Sequence, residues 1–114
     1  DYQYIYGRSV NEALVLKPAG GALAAFGPAG ITDQAEQAIL YATFYERMRK
    51  GGTLGEIIRD AKVAALAQNP AVRAVVEGFN LLGDPSLVIA APRAAGDPVA
   101  GGRKGAEPGR PGRR

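Results

Sequence analysis

Two carboxylates four residues apart, Glu56 and Asp60, and a third fixed between glycine and proline, Asp84, are the side chains best suited by type to acid–base work. Glu56 and Asp60 fall on one face of a helical turn, with Arg59 and Lys62 beside them. That pattern is ordinary solvated pairing, contributing a few tenths of a kcal/mol. Asp84 has no second titratable group in its motif, so its carboxylate is expected to cap backbone N–H groups of a turn. Tyr2, Tyr4 and Tyr6 alternate, as in a strand with one aromatic face or a loop crossing a pocket rim, whereas Tyr41, Phe44 and Tyr45 recur beside aliphatics and are expected in a core. The chain contains neither cysteine nor histidine. This removes the usual nucleophile–base pairs and most zinc sites, and the residues assign no catalytic, cofactor-binding or metal-ligating side chain.

The glycine-rich segments fail as phosphate cradles. Gly20-Gly21 precedes an apolar run where a phosphate loop would follow one, and Gly51-Gly52-Thr53-Leu54-Gly55 lacks the Gly-Lys-Ser/Thr ending. They read as punctuation between elements. Ser9 and Glu12 form a capping box that opens a short helix to Leu16. Ala22-Leu23-Ala24-Ala25-Phe26 is a continuous apolar run, the signature of a strand covered on both faces in a parallel sheet. Asp33 and Glu36 make a second capping box before a helix carrying Ala38, Leu40, Tyr41, Phe44, Tyr45 and Met48, closed by Gly51-Gly52. Thr53 and Glu56 make a third, before a stripe of Leu54, Ile57, Ile58, Ala61, Ala64 and Ala65. Asn69-Pro70 ends that helix and can cap a further short turn. The segment from Phe79 to Leu82, a Gly83-Asp84-Pro85 turn and a final strand Leu87-Val88-Ile89-Ala90 follow.

Composition changes abruptly after this strand. From Arg93 to Arg114 the residues are almost all Gly, Pro, Ala and Arg/Lys, with nothing bulky and apolar beyond Val99, so no core offsets the entropy of ordering them and the tail is expected to be disordered. The tail carries six basic against two acidic side chains, while residues 1–92 hold eight basic and nine acidic. Basic charge therefore sits outside the fold with no aromatic to stack on a base, which argues against nucleic acid beyond electrostatic contact by the tail. The N-terminal residues Asp1 to Tyr6 form neither a signal peptide nor a membrane span, so no membrane partner is expected. Absence of cysteine leaves the cellular compartment open.

The order helix, strand, helix, helix, strand is that of an α/β layered domain. Two short strands are too few for a parallel sheet, which averages about five or six, so the chain reads as the C-terminal half of a domain.

Four blocks carry a resemblance: Ser9-Val10-Asn11-Glu12-Ala13-Leu14-Val15-Leu16, Gly20 to Gly30, Thr53 to Lys62, and Asn80-Leu81-Leu82-Gly83-Asp84-Pro85-Ser86-Leu87. Together, in this order, they resemble the closing part of the gingipain-like cysteine peptidase domain. The resemblance implies a caspase-like three-layer α/β/α sandwich with a mostly parallel sheet, incomplete in this chain. Residues 1–91 would form the C-terminal portion of that domain and 92–114 the tail. It further implies a histidine and a cysteine at the ends of adjacent strands, both upstream of the segment beginning at Ser9, so neither has a counterpart here and this chain alone is expected to be inactive. Tyr2 to Gly7 would follow the cysteine. The implied partners are the upstream half of the same domain and a peptide or protein substrate, in a secreted or cell-surface bacterial protein. The alternative is a non-catalytic caspase-like interaction module or a truncated remnant.

A half-domain leaves an apolar strand edge unpaired, so the isolated chain is expected to self-associate. Unfolding monitored across a dilution series should show a concentration-dependent transition; a sharp, concentration-independent one would contradict the half-domain reading.

Overall fold

The computed structural model describes residues 7–93. The expectations for Tyr2, Tyr4 and Tyr6 and for the tail beyond Arg93 lie outside the described residues. Helix α1 spans Val10–Val15. Ser9 accepts from the Glu12 amide while Glu12 reaches back to the Ser9 amide at 2.9 Å, completing the expected box. Strand β1 is Ala24–Pro28. Helix α2, Gln34–Met48, is capped by Asp33, whose carboxylate accepts from the Ala35 and Glu36 amides. A two-residue strand β2, Gly52–Thr53, leads into helix α3, Leu54–Gln68, with the Thr53–Glu56 box formed on both sides. A 3-10 turn at Pro70–Val72 and helix α4, Arg73–Gly78, occupy the stretch where only a short turn is expected from sequence. Strands β3, Phe79–Gly83, and β4, Val88–Ile89, follow.

Helices α2, α3 and α4 bury apolar residues against each other and against one face of the β1–β3 sheet, while α1, with no buried residue, lies on the other face. Leu40 of α2, Ala65 of α3, Val72, Val75 and Val76 around α4, and Phe79 of β3 form the core, with Phe26 and Tyr41 packed on it. Leu54, Ile57, Ile58 and Ala61 are the rest of the predicted α3 stripe that is buried, while Ala64 is exposed. α2 and α3 meet at small residues: the Thr43 hydroxyl lies 3.1 Å from the Ala61 carbonyl and 2.9 Å from that of Leu40, so the buried hydroxyl is satisfied. Phe26 stacks on Phe44 and meets Phe79 edge-on, both at 5.3 Å between ring centres.

Strand pairing departs from expectation. β1 pairs with β3 and β2 with β4, and both ladders are antiparallel. No parallel pair forms among the described residues. The apolar run at residues 22–26 is not covered on both faces as expected, since Leu23 is 80% exposed and its other residues are only half-buried, and the run does not record the direction of its neighbour. That direction is set at the α4–β3 junction, where the Ala29 amide bonds the Gly78 carbonyl at 2.8 Å and returns the chain alongside β1. β2 and the Phe79–Gly83 strand were not foreseen as strands. The final strand is shorter than the predicted Leu87–Ala90 because only Val88 and Ile89 have partners.

Gly51 shows why the Gly51-Gly52 pair ends α2. Its φ is 73°, and a Cβ there would lie 2.9 Å from the Ala91 amide nitrogen and 3.0 Å from the Ile89 carbonyl oxygen. Gly20 has φ 60° but no atom within 4 Å of its would-be Cβ. Gly20→Ala is therefore expected to destabilise the chain by about 1–2 kcal/mol, from its left-handed φ alone, and Gly51→Ala by more, about 2–3 kcal/mol. Urea unfolding of both variants, at concentrations that keep the chain monomeric, measures the difference; equal losses would mean that the contact with residues 89–91 is not constraining.

Candidate functional site

Two of the sequence blocks meet in space. Gly83 turns the chain out of β3 with φ 133°, at a point where a Cβ would sit 2.7 Å from that of Ala24. One Asp84 carboxylate oxygen then accepts from the Ser86 amide at 2.8 Å and from its hydroxyl at 2.7 Å, and the Leu87 amide bonds the Asp84 carbonyl at 3.2 Å. The turn so fixed aims two carbonyls at the start of α3: Leu87 accepts from the Leu54 amide and Pro85 from the Gly55 amide, both at 2.8 Å. A Cβ at Gly55 would stand 3.1 Å from that of Pro85, close enough that Pro85 would have to shift by a few tenths of an ångström. Thr53 satisfies the Glu56 amide at 3.3 Å. The otherwise orphaned N–H groups of the first α3 turn are thereby met by the turn and the cap.

The carboxylates are committed to these bonds. Hydrogen bonds from the Ser86 side chain and then its backbone hold the Asp84 carboxyl below the usual aspartate range. Thr53 does the same for Glu56. Asp60 is lowered by its bonds to Arg47 and Arg59, each at 2.8 Å, and Arg59 is raised in return. Glu56 and Asp60 thus point to different partners on one helix. A group held ionised near neutrality does not serve as a general acid, and each of these anions already has its donors. The Arg47–Asp60 pair lies in a cleft of about 390 Å³ that Thr43, Glu46, Arg49, Lys50 and Ala64 complete. Its charges are mixed, and its one hydroxyl, that of Thr43, is engaged with the Leu40 and Ala61 carbonyls.

Lys62 departs from the solvated pairing expected of it. Its ammonium donates to the Phe79 carbonyl at 2.7 Å and stands 5.9 Å from the centre of the Phe26 ring. Burial pushes its pKa down. The sequence held a signal for this: Lys62 lies four residues after the buried Ile58 and three before the buried Ala65, on the inward flank of α3. Tyr41 and Phe44 are half-buried as expected, and burial, with Tyr45 second, raises Tyr41. Tyr45 is 55% exposed, so it leaves the core. Among the described residues no three His, Cys, Asp or Glu side chains gather as a metal site, and no helix is long and apolar enough to cross a membrane.

The model of the family described as Peptidase family C25 matches residues 1–90. The chain belongs to peptidase family C25. This is the gingipain family of cysteine peptidases, and the match takes in every helix and strand described above. No curated protein and no solved structure matches the chain. In C25 terms the described elements are therefore a mixed α/β segment of a cysteine peptidase domain. The part of this chain matched to the family carries no cysteine or histidine of its own.

The depressed carboxyls give this C25 segment an acid limb with a definite sign. A carboxyl lowered in the folded state contributes stability that is complete above its unfolded value, about 4, and is lost as pH falls through the folded value. Stability should be level above about pH 5 and decline below about pH 4. Asp84→Asn, which keeps an acceptor for the Ser86 amide, should shallow that decline. Urea midpoints measured from pH 7 to pH 2 test it, and an unchanged slope would place the acid-sensitive groups elsewhere.

Proposed function

We propose that this chain is the C-terminal segment of a gingipain-like cysteine endopeptidase domain, scaffolding a Cys/His dyad that polypeptide upstream of Asp1 supplies. The observation that carries the reading is the family match over residues 1–90. Peptide-bond hydrolysis of this class uses a thiolate to attack the carbonyl carbon and an imidazole to take up and return the proton. This chain, with no cysteine and no histidine, supplies neither group.

The role left to its residues is support. Residues 25, 27, 80 and 82 face one side of the β1–β3 ladder, and Ser9, Asn11, Gly27, Asn80 and Leu82 together line a small pocket there. Phe26 and Phe79 face the other side and join the core beneath α2 and α3. Helices on both faces of a sheet are the layering of an α/β/α sandwich, and this supports the caspase-like three-layer architecture proposed for the completed domain. Residues 1–91 would belong to it, with 92–114 as an appended tail. The substrate class is a peptide or protein, and the upstream half of the domain is the obligatory partner.

The test compares this chain alone with the same chain joined to an N-terminal C25 half-domain bearing the cysteine and histidine. The chain alone should release no product from peptide substrates. The joined protein should hydrolyse them and lose activity on thiol alkylation. Activity of the chain alone, or a folded but inactive joined protein, would overturn the catalytic reading, the latter in favour of a non-catalytic caspase-like interaction module.

A further inference from the structure

We infer that the cleft between α2 and α3 is a docking site for an acidic polypeptide segment, one whose carboxylates are spaced by neutral residues. The observations behind it are independent of the peptidase reading. Of the eight basic residues in 1–92, four, Arg47, Arg49, Lys50 and Arg59, lie within thirteen positions of one another around this cleft. Arg47, Arg49 and Lys50 line it. Asp60 is shared between two of the four: one carboxylate oxygen accepts from the Arg47 Nε at 2.8 Å, and the other accepts from the Arg59 Nε at 2.9 Å and Nη2 at 2.8 Å. One carboxylate thus serves two guanidiniums, and both terminal nitrogens of Arg47 are left over. Arg49 and Lys50, both exposed, meet no acceptor among the described residues.

Cations at a helix C-terminus commonly serve its last carbonyls. Here the Tyr45, Arg47 and Met48 carbonyls are taken by the Arg49, Lys50 and Gly51 amides, so the side chains are not spent on them. Space is available too. Ala64, which the α3 stripe would have placed in the core, is exposed and lines the cleft with Thr43 of α2, and these two small residues leave about 390 Å³ open. The chain leaves β4 past the same end of α2: a Cβ on Gly51 would lie 2.9 Å from the Ala91 amide nitrogen, and the exposed Arg93 follows two residues on. Positive charge is therefore gathered here on a body that holds eight basic against nine acidic side chains.

The acidic residues of the cleft decide the class of occupant. Glu46 lines it beside the cations, and a polymer charged at every unit would be forced against Glu46 and Asp60. An extended polypeptide places every second side chain on one side, about 6–7 Å apart. Its carboxylates can meet the Arg47 terminal nitrogens, Arg49 and Lys50 while neutral residues pass Glu46. Guanidinium forks take carboxylates through paired hydrogen bonds, which favours this ligand chemistry further.

The test is fluorescence anisotropy of a labelled peptide of alternating glutamate and alanine, titrated with the full chain at concentrations that keep it monomeric. Arg49→Glu with Lys50→Glu should weaken binding by about tenfold or more, whereas Arg8→Glu with Lys17→Glu, the same charge change at other exposed positions, should weaken it by less than about twofold. Asp60→Asn, which releases two guanidiniums, should tighten binding by about threefold, and this holds as a test even where a double variant fails to fold. Equal losses in the two double variants, or no tightening in Asp60→Asn, would overturn the inference. So would binding that disappears only when residues 94–114 are removed, since the tail would then be the binder. Uptake of inorganic polyphosphate with none of the peptide would overturn it in favour of a phosphate polymer.

Discussion

The start of α3 holds this structure together, because it is where local sequence and long-range order coincide. A helix N-terminus needs acceptors for its first amides. Thr53 supplies one from within, and the Pro85 and Leu87 carbonyls supply two more from a turn some thirty residues away. Those carbonyls are aimed only because Asp84 bonds Ser86 and because Gly83 takes a φ of 133° against Ala24. One cluster of hydrogen bonds thus joins the end of β3, the head of α3, and the β2–β4 pair that begins beside it. Removing Asp84's acceptor would loosen three elements, although its carboxylate is fully exposed and its own contribution is screened by water.

Lys62 is the second tie between α3 and β3. Its ammonium stands over the Phe26 ring and donates to the Phe79 carbonyl. The charge is desolvated in part, which lowers its pKa, yet it satisfies an edge carbonyl that the β1–β3 ladder leaves unpaired. The two ties place β3 firmly on α3, and β1 inherits its position through β3. Among the described residues β1 has a strand on one side only.

Sequence alone made the helices legible because their signals are local. The boxes at Ser9 and Thr53 formed in full, the Asp33 cap formed, and the α3 stripe pointed inward except at Ala64. The role of Asp84 as a turn acceptor was also legible, since glycine before it and proline after it leave a carboxylate little else to do. Sheet order was not legible, because strand direction depends on how α4 returns the chain and no short pattern records that. Lys62 was missed for a related reason: its partner is a backbone carbonyl seventeen residues on, invisible to any side-chain motif. The family match reached over residues 1–90 without either reactive residue, so the chemistry is inferred through membership and the architecture through contacts.

The central claim is that these elements support a thiol held by polypeptide N-terminal to them. Labelling with a peptidyl electrophile tests it most directly, followed by mass mapping of the modified residue in the chain joined to its N-terminal half-domain. The account predicts a single modified cysteine on the N-terminal side of Gly7 that is protected by a competing peptide substrate, and no label on the chain alone. A folded joined domain that takes up no label, or takes it up without protection by substrate, would contradict it.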